Sequence, residues 1–234
     1  MAVLTWLFDL DNTLHDASHA IFPAINANMN RYIGEVLGRD GVPAGSAEVN
    51  AARVLYWQRY GATLLGMVKH HAVRQEDFLA AAHRFDDLPA MIRAERGLLA
   101  RLRRLPGRKI LLTNAPLAYS TQVMRHLGLH RQFDRHIAIE SMRVHGKLRP
   151  KPSRALLRLL LARHRLRARD CVLVEDTAVN LKAAHQTGLR TVWVTQYLHT
   201  ASPAQAAAAR KRPGYVDVKV KSVRQLRARL HQLR

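Results

Sequence analysis

Residues 8–13 read FDLDNT and place two carboxylates, Asp9 and Asp11, at the end of a hydrophobic run that includes Val3, Leu4, Trp6, Leu7 and Phe8. If strand geometry persists there, a spacing of two sends both side chains to one side, where like charges repel. The pairing makes chemical sense if a cation lies between them or if one carboxylate works protonated part of the time. Two further strand-like runs also end in polar groups: KILLTN in Thr113 and Asn114, CVLVED in Glu175 and Asp176. Each ending alone has an ordinary reading as a turn or a helix cap, but packing gives no reason for three such endings together. Four carboxylates meeting in one crevice call for a cation. The strand ends offer oxygen and neither Cys nor His, which favours Mg²⁺ over Ca²⁺ or Zn²⁺. Such an ion suits a phosphate ester. The positive side chain that should face it is Lys151, held by the following proline at a helix start, with Lys147 as the competing candidate.

These residues need strand ends to carry them. The apolar runs VLTWLFDL, KILLTN, HIAIE, CVLVED and RTVWVT read as strands buried on both faces, separated by helical segments, which predicts an α/β fold with a doubly wound parallel sheet. Active sites of such sheets lie at the strands' C-terminal ends. TAVNLKAAHQTG predicts a helix with Thr177 as N-cap and Gly188 past its C-terminus, and STQVMRHLGL one that stops at Gly128. About ninety residues between the first two strands look helical throughout, far more than a crossover needs. They predict an inserted helical cap, 15–105, placed to cover the Asp9–Asp11 turn, with 1–14 and 106–234 forming the catalytic core. Near the C-terminus, YVDVKV predicts a weak strand and SVRQLRARLHQL a short basic helix, after an Ala-rich surface connection at 199–214.

Composition narrows the classes. Hydrophobic residues make up 48% of the 234 and charged residues 24%, and no apolar stretch reaches the roughly 20 residues a membrane span needs. With no basic leader before the first apolar run, the expected location is cytoplasmic, without a membrane partner. Cys171, the single cysteine, lies inside a strand run and reads as an inert buried thiol. The net charge of +21 comes almost wholly from Arg96 onward, which fits an anionic partner. In RALLRLLLARHRLRARD, however, the arginines recur on the wet side of a helix, and no zinc-finger spacing or RNA-binding aromatic pattern supports nucleic acid as the main ligand.

FDLDNT, LLTN, Lys151 in KPSRALL and VLVEDTAVNLKAAHQTGLRTVWV, in this order, resemble the four motifs of the haloacid dehalogenase-like (HAD) phosphatase superfamily. The resemblance spans the whole main domain and implies a HAD-like core with an aspartyl-phosphate mechanism. Asp9 would be the nucleophile and Asp11 the acid and then the base. Thr113, with Asn114 beside it, would hydrogen-bond the transferring group, and Lys151 would stabilise its charge. Mg²⁺ would be held by Asp9, the main-chain carbonyl of Asp11 and Asp176, with Glu175 close by or acting through water. Dehalogenase members lack an acid two residues after the nucleophile, since a halide leaves without a proton, so Asp11 points to phosphoryl transfer. Within the lobe, YGATLLGMVKHHAVRQEDFLAAAHRFDDL resembles the cap of the pyrimidine 5′-nucleotidase subgroup, which implies a nucleoside 5′-monophosphate substrate. Met67, Leu156 and Leu157 depart from the subgroup pattern in ways that touch packing; Gly61 and Gly66 also fit a helix turn in the lobe core, and His70 and His71 read as exposed polar residues. A sugar-phosphate phosphatase or a β-phosphoglucomutase-like enzyme fits the core motifs too, and from another class, a basic nucleic-acid-associated protein that keeps the fold without the catalysis.

Overall fold

A computed structural model describes residues 4–198 and 211–233. In chain order the described residues form β1 (Thr5–Phe8), α1 (Ile21–Leu37), α2 (Ser46–Tyr60), α3 (Thr63–His70), α4 (Gln75–Ala82), α5 (Leu88–Met91), α6 (Leu98–Arg103), β2 (Arg108–Leu112), α7 (Leu117–His126), β3 (Arg135–Ile137), β4 (Arg143–Val144), β5 (Lys147–Leu148), α8 (Arg154–Arg163), β6 (Cys171–Glu175), α9 (Ala178–His185), β7 (Arg190–Val194) and β8 (Val218–Val220). The chain divides into two compact units, Met1–His19 with Ile92–Arg234, and Ala20–Met91.

In the first unit, six strands lie in the order β3-β2-β1-β6-β7-β8, each paired parallel with its neighbours. Every residue of β1 and β6 is buried, as their unbroken apolar sequences require of strands covered on both faces. The chain leaves β1 toward β2 on one side and returns to β6 on the other, so the crevice at the C-terminal end of β1 is the topological switch point. Register then selects its contents: Phe8 pairs with Leu111 and with Val174, so the next residue along each strand brings Asp9 level with Leu112 and Glu175.

A tight backbone contact fixes β2 against β1. The amide of Arg108 donates to the Leu4 carbonyl at 2.9 Å, and a Cβ on the preceding Gly107 would lie 2.3 Å from that same oxygen. Gly107 also has φ +98°, a conformation that only glycine adopts without strain.

The second unit is helical and packs α1 against α2 and α4, and α2 against α3. SAEVNAARVLYWQRYGATLLGMV makes two helices, because Gly61 takes a left-handed conformation, caps α2 through the Trp57 carbonyl and ends it. Gly66 lets α3 approach the Tyr56 ring, which a Cβ there would strike. His70 and His71 bond the hydroxyls of Tyr60 and Tyr56, respectively. Met67 is fully buried in this unit, as Leu156 and Leu157 are in the other, so the departures at these positions are accommodated by packing.

Several local expectations shift. The units divide at 19/20 and 91/92, whereas the sequence puts the boundaries at 14/15 and 105/106; 92–105 reads as more lobe helix, but α6 buries Leu98 and Leu102 within the first unit. As expected, Gly188 lies past the C-terminus of α9, which ends at His185, and is left-handed. Val223–Gln225 and Arg227–Leu233 form 3₁₀ turns in place of one basic helix. The strand expected in YVDVKV is confined to β8. The Ala-rich connection falls largely at 199–210, outside the described residues. Arg154, Arg158 and Arg163 of α8 are exposed while Leu156, Leu157 and Leu160 are buried, so this helix's arginines form a solvated face. No helix among the described residues is long and apolar enough to cross a membrane.

Replacing Gly107 with Ala forces strain and an overlap with the Leu4 carbonyl together, and is expected to destabilise the protein by about 2 kcal/mol or more. Urea unfolding checks this; an unchanged midpoint contradicts the close-approach account.

Candidate active site at the end of β1

β1 ends at Phe8, and the chain turns at once. The Leu10 carbonyl accepts the amides of Thr13 and Leu14, at 3.2 and 2.8 Å, and Asn12 sits in the left-handed region with φ 58°. Asn12 Oδ1 accepts the amides of Ala17 and Ser18, both at 3.1 Å, while its Nδ2 donates to Ser18 Oγ. Strand geometry therefore does not persist to Asp11, and the two carboxylates are separated by a turn. Asp9 stays at the sheet edge, its amide donating to the Val174 carbonyl of β6 at 3.0 Å. Asp11 goes elsewhere: its Oδ1 accepts the Tyr119 hydroxyl at 2.6 Å and lies 2.9 Å from His15 Nε2.

Lys151 arrives from the segment between β5 and α8 and donates from Nζ to Asp9 Oδ1 at 2.6 Å and to Glu175 Oε2 at 2.7 Å. All three side chains are buried. Lys147, the competing lysine, is exposed on the β4–β5 hairpin. Asn114 clasps the lysine's backbone, its Nδ2 donating to the Lys151 carbonyl and its Oδ1 accepting the Lys151 amide, both at 3.0 Å. The residue expected to touch a transferring group thus has both amide atoms on Lys151. Thr113 is buried and fixed by its amide to the Ile137 carbonyl. Its Oγ1 accepts the Ala115 amide at 3.1 Å, which leaves the hydroxyl hydrogen to donate.

Glu175 is saturated with donors. Oε2 receives Lys151 and, at 3.0 Å, Asn180 Nδ2 of α9; Oε1 receives the Thr177 amide at 3.1 Å. Thr177 occupies the N-cap position, but its hydroxyl donates to Asp176 Oδ1 and does not cap α9, while its amide donates to Glu175 Oε1. Asp176 is held from behind by Trp193 Nε1, which donates to its carbonyl at 2.8 Å.

Three carboxylates thus surround one ammonium. Burial opposes the charge of Glu175, but Lys151 and these donors hold its carboxyl below the usual glutamate range. Burial would lower Lys151, yet Asp9 and Glu175 hold its ammonium above the ordinary lysine value. The excess negative charge falls on the other two. Asp9 is pushed up to about 7, first by burial and then by Glu175, despite Lys151; Asp176 is raised by burial and by Glu175 and Asp9. Tyr119, buried beside Asp11, is raised above its ordinary value, first by burial and then by the Asp11 charge, and so remains a donor.

The site fits a hard cation. Among the described residues, Asp9, Glu175 and Asp176 form a group whose nearest carboxylate oxygens all lie within 4.8 Å of one another. All offer oxygen, and two are short of positive charge. With Glu175 engaged by protein donors, Asp9 and Asp176 are the side chains that could hold it. The Asp11 carboxylate is not in this group. Cys171, buried and pushed up to about 11 by burial, takes no part.

Tyr119, His15 and Asn180 escaped the sequence reading. His15 stands four residues after Asp11 and Tyr119 in the first turn of the helix that follows the Thr113–Asn114 strand end. Each is a polar group next to a motif residue, and that proximity was the available signal.

The family model for haloacid dehalogenase-like hydrolases matches residues 4–188, and the chain belongs to that family. Solved structures with this fold include a HAD phosphatase from Thermococcus onnurineus (16% identity, 97% of each chain covered, TM-score 0.63). An L-2-haloacid dehalogenase from Xanthobacter autotrophicus is also similar (16% identity, 98% of this chain and 99% of that one, TM-score 0.59). So is a HAD-superfamily hydrolase, subfamily IA, variant 1, from Geobacter sulfurreducens PCA (18% identity, 97% and 96%, TM-score 0.55). A phosphatase and a dehalogenase share the fold, so the reaction has to be argued from the site.

A carboxyl raised on folding contributes stability that is present below its unfolded value, 3.8 for Asp9, and lost as pH rises through about 7. A cation at the same oxygens competes with that proton. Millimolar Mg²⁺ is expected to raise the thermal midpoint more at about pH 8 than at about pH 5.5, and Asp176→Asn to diminish the rise. Equal shifts at both pH values contradict the placement of the cation at Asp9.

Proposed function

We propose that the protein is a Mg²⁺-dependent phosphatase that hydrolyses a small phosphate monoester through an aspartyl-phosphate on Asp9, with pyrimidine nucleoside 5′-monophosphates as the substrates. The observation that carries this reading is the separation of the two carboxylates. Asp9 is buried at 2.6 Å from Lys151 beside Asp176, while Asp11, two residues on, is held outside that cluster by Tyr119 and His15. A nucleophile and an acid/base need that division, and a halide-releasing enzyme has no use for the second group.

In the first step Asp9 attacks phosphorus as the bond to the leaving oxygen breaks, and Asp11 gives that oxygen its proton. Asp11 then takes a proton from water, the water oxygen attacks phosphorus, and phosphate leaves with Asp9 restored. Lys151 orients Asp9 and offsets its charge, and Asn114 holds the lysine's main chain so that its ammonium stays aimed. The Thr113 hydroxyl is placed to donate to a phosphoryl oxygen. A hard divalent ion held by Asp9 and Asp176 would neutralise phosphate charge and polarise the phosphorus–oxygen bonds.

The pyrimidine-nucleotide assignment rests on the lobe sequences around Gly61–Met67 and Phe78, so choice among esters is assigned to the helical unit inserted in the chain after the Asp9–His15 turn. The alternative within the same chemistry is a sugar phosphate, acted on by a phosphatase or a phosphoglucomutase-like enzyme.

Release of inorganic phosphate across a panel of 5′-mononucleotides and sugar phosphates, with and without Mg²⁺, tests the reading. UMP or CMP should be hydrolysed best, and only with the metal. Asp9→Asn should lower the rate at least about 10³-fold and Asp11→Asn at least about 10²-fold with the circular dichroism spectrum unchanged. Full activity in either variant contradicts the mechanism, and a sugar phosphate as best substrate contradicts the nucleotide assignment.

A further inference from the structure

We propose that the basic surface formed by the end of α6 and the 3₁₀ turns after β8 is a docking site for the phosphate backbone of duplex nucleic acid, bound without regard to sequence. The inference is independent of the phosphatase reading above.

Two distant stretches of chain bring four arginines together. Arg101 and Arg104 lie at the end of α6 and just past it, Arg224 and Arg227 lie in the two 3₁₀ turns, and all four line one cleft with Leu105 and Val223. Leu102, Leu105, Val223 and Leu226, on the same segments, are buried. Packing thus sets the backbone positions, while the four arginines are exposed. The helix dipole favours arginine at the C-terminus of α6, which accounts for the first pair. It does not account for the second, which follows a strand. Among the described residues the ion pair made by these four is Arg224 with Glu95, at 3.4 Å. Four like charges around one cleft, with one carboxylate beside them, leave a positive field that an anion would relieve.

The cleft's size narrows the ligand. At about 40 Å³ it is far below the roughly 300–1,000 Å³ of a pocket that encloses a small molecule. It admits a protruding group, and the guanidinium fork matches the oxygens of a phosphate. The segment Arg227–Leu233 also borders a second basic cleft, where Arg229 stands with Arg212 and Lys219. The carboxylate there, Asp217, already accepts the Thr191 amide at 2.7 Å and the Thr191 hydroxyl at 3.1 Å. Two basic clefts sharing one wall suit a chain of phosphates better than a single ion. Neither is lined by an aromatic side chain, the platform on which unpaired bases stack. Recognition then falls to the phosphates, which a duplex presents outward in a continuous row and which carry no sequence information.

Fluorescence anisotropy of the full chain with labelled DNA duplexes of about 20 base pairs, in two unrelated sequences, at about 50 to 200 mM NaCl, tests this. Both duplexes should bind alike, and affinity should fall steeply with salt. Replacing Arg101, Arg104, Arg224 and Arg227 together with Gln is expected to weaken binding at least about 10-fold at the lowest salt. It should also flatten the slope of log affinity against log salt by about 3 to 4, with the circular dichroism spectrum unchanged. The milder pair Arg224→Gln and Arg227→Gln should flatten the slope by about 2. Four Gln replacements at Arg158, Arg163, Arg165 and Arg169, which remove the same charge from in and beyond α8, are expected to cost less than about 3-fold. Equal losses in the two fourfold variants would show that affinity follows net charge alone and overturn the docking site. No binding to the duplex at about 50 mM NaCl, tighter binding to a single strand than to the duplex, a strong preference for one of the two sequences, or binding to phosphatidylserine vesicles by protein that ignores the duplex would overturn it as well.

Discussion

One buried ammonium among three carboxylates governs this molecule's chemistry. Removing Lys151 and its partners from water costs several kcal/mol per ion, and short charge-assisted bonds must offset that. They do so unequally. Glu175 receives Lys151, Asn180 and the Thr177 amide and is held ionised. Asp9 shares the same lysine but has beyond it, among the described residues, a long contact from the Thr13 hydroxyl, at 3.3 Å, and is pushed up to about 7. The same lysine thus anchors one carboxylate as structure and leaves its neighbour with fewer donors and in want of a second positive charge. Asp176, raised in the same field, faces the same deficit. A hard cation at these oxygens would answer both.

The sheet makes this arrangement possible. Parallel pairing sets Asp9 and Glu175 side by side on adjacent strands, although 166 positions separate them in the chain. Lys151 belongs to no strand and needs another device, and the Asn114 clasp supplies it by joining the end of β2 to the lysine's own main chain. Gly107 serves the same end one step further back, since the closeness of β2 to β1 sets where Thr113 and Asn114 fall. The strand-end side chains are therefore positioned by the sheet's backbone hydrogen bonds, and Lys151 by the Asn114 side chain on its main chain.

Much of this was legible in the sequence because strands buried on both faces have continuous apolar sequences, and polar residues at their ends stand out. Asp9, Thr113, Asn114, Glu175 and Asp176 were found that way, and Lys151 by its proline. What escaped were facts set by tertiary contact. A turn at FDLDNT was one reading open from the sequence, but what holds it, Asn12 in a left-handed conformation bonding Ala17 and Ser18, shows only in the fold. Nothing in STQVMRHLGL marks the tyrosine just before it, since its role appears only when α7 is laid beside the first turn. The α2–α3 break depended on reading Gly61 as a stop when the apolar pattern ran on through it. The reaction was less legible than the fold for another reason: a phosphatase and a dehalogenase share this scaffold, so the fold alone does not select the chemistry.

The central claim is that Asp9 becomes covalently phosphorylated. Borohydride reduces an acyl phosphate to an alcohol, so quenching the protein with it during turnover of its best ester, followed by peptide mass mapping, reads the site directly. The account predicts homoserine at position 9 and nowhere else, absent when substrate is withheld. An intact Asp9 under active turnover, or conversion at a different acidic residue, would contradict it.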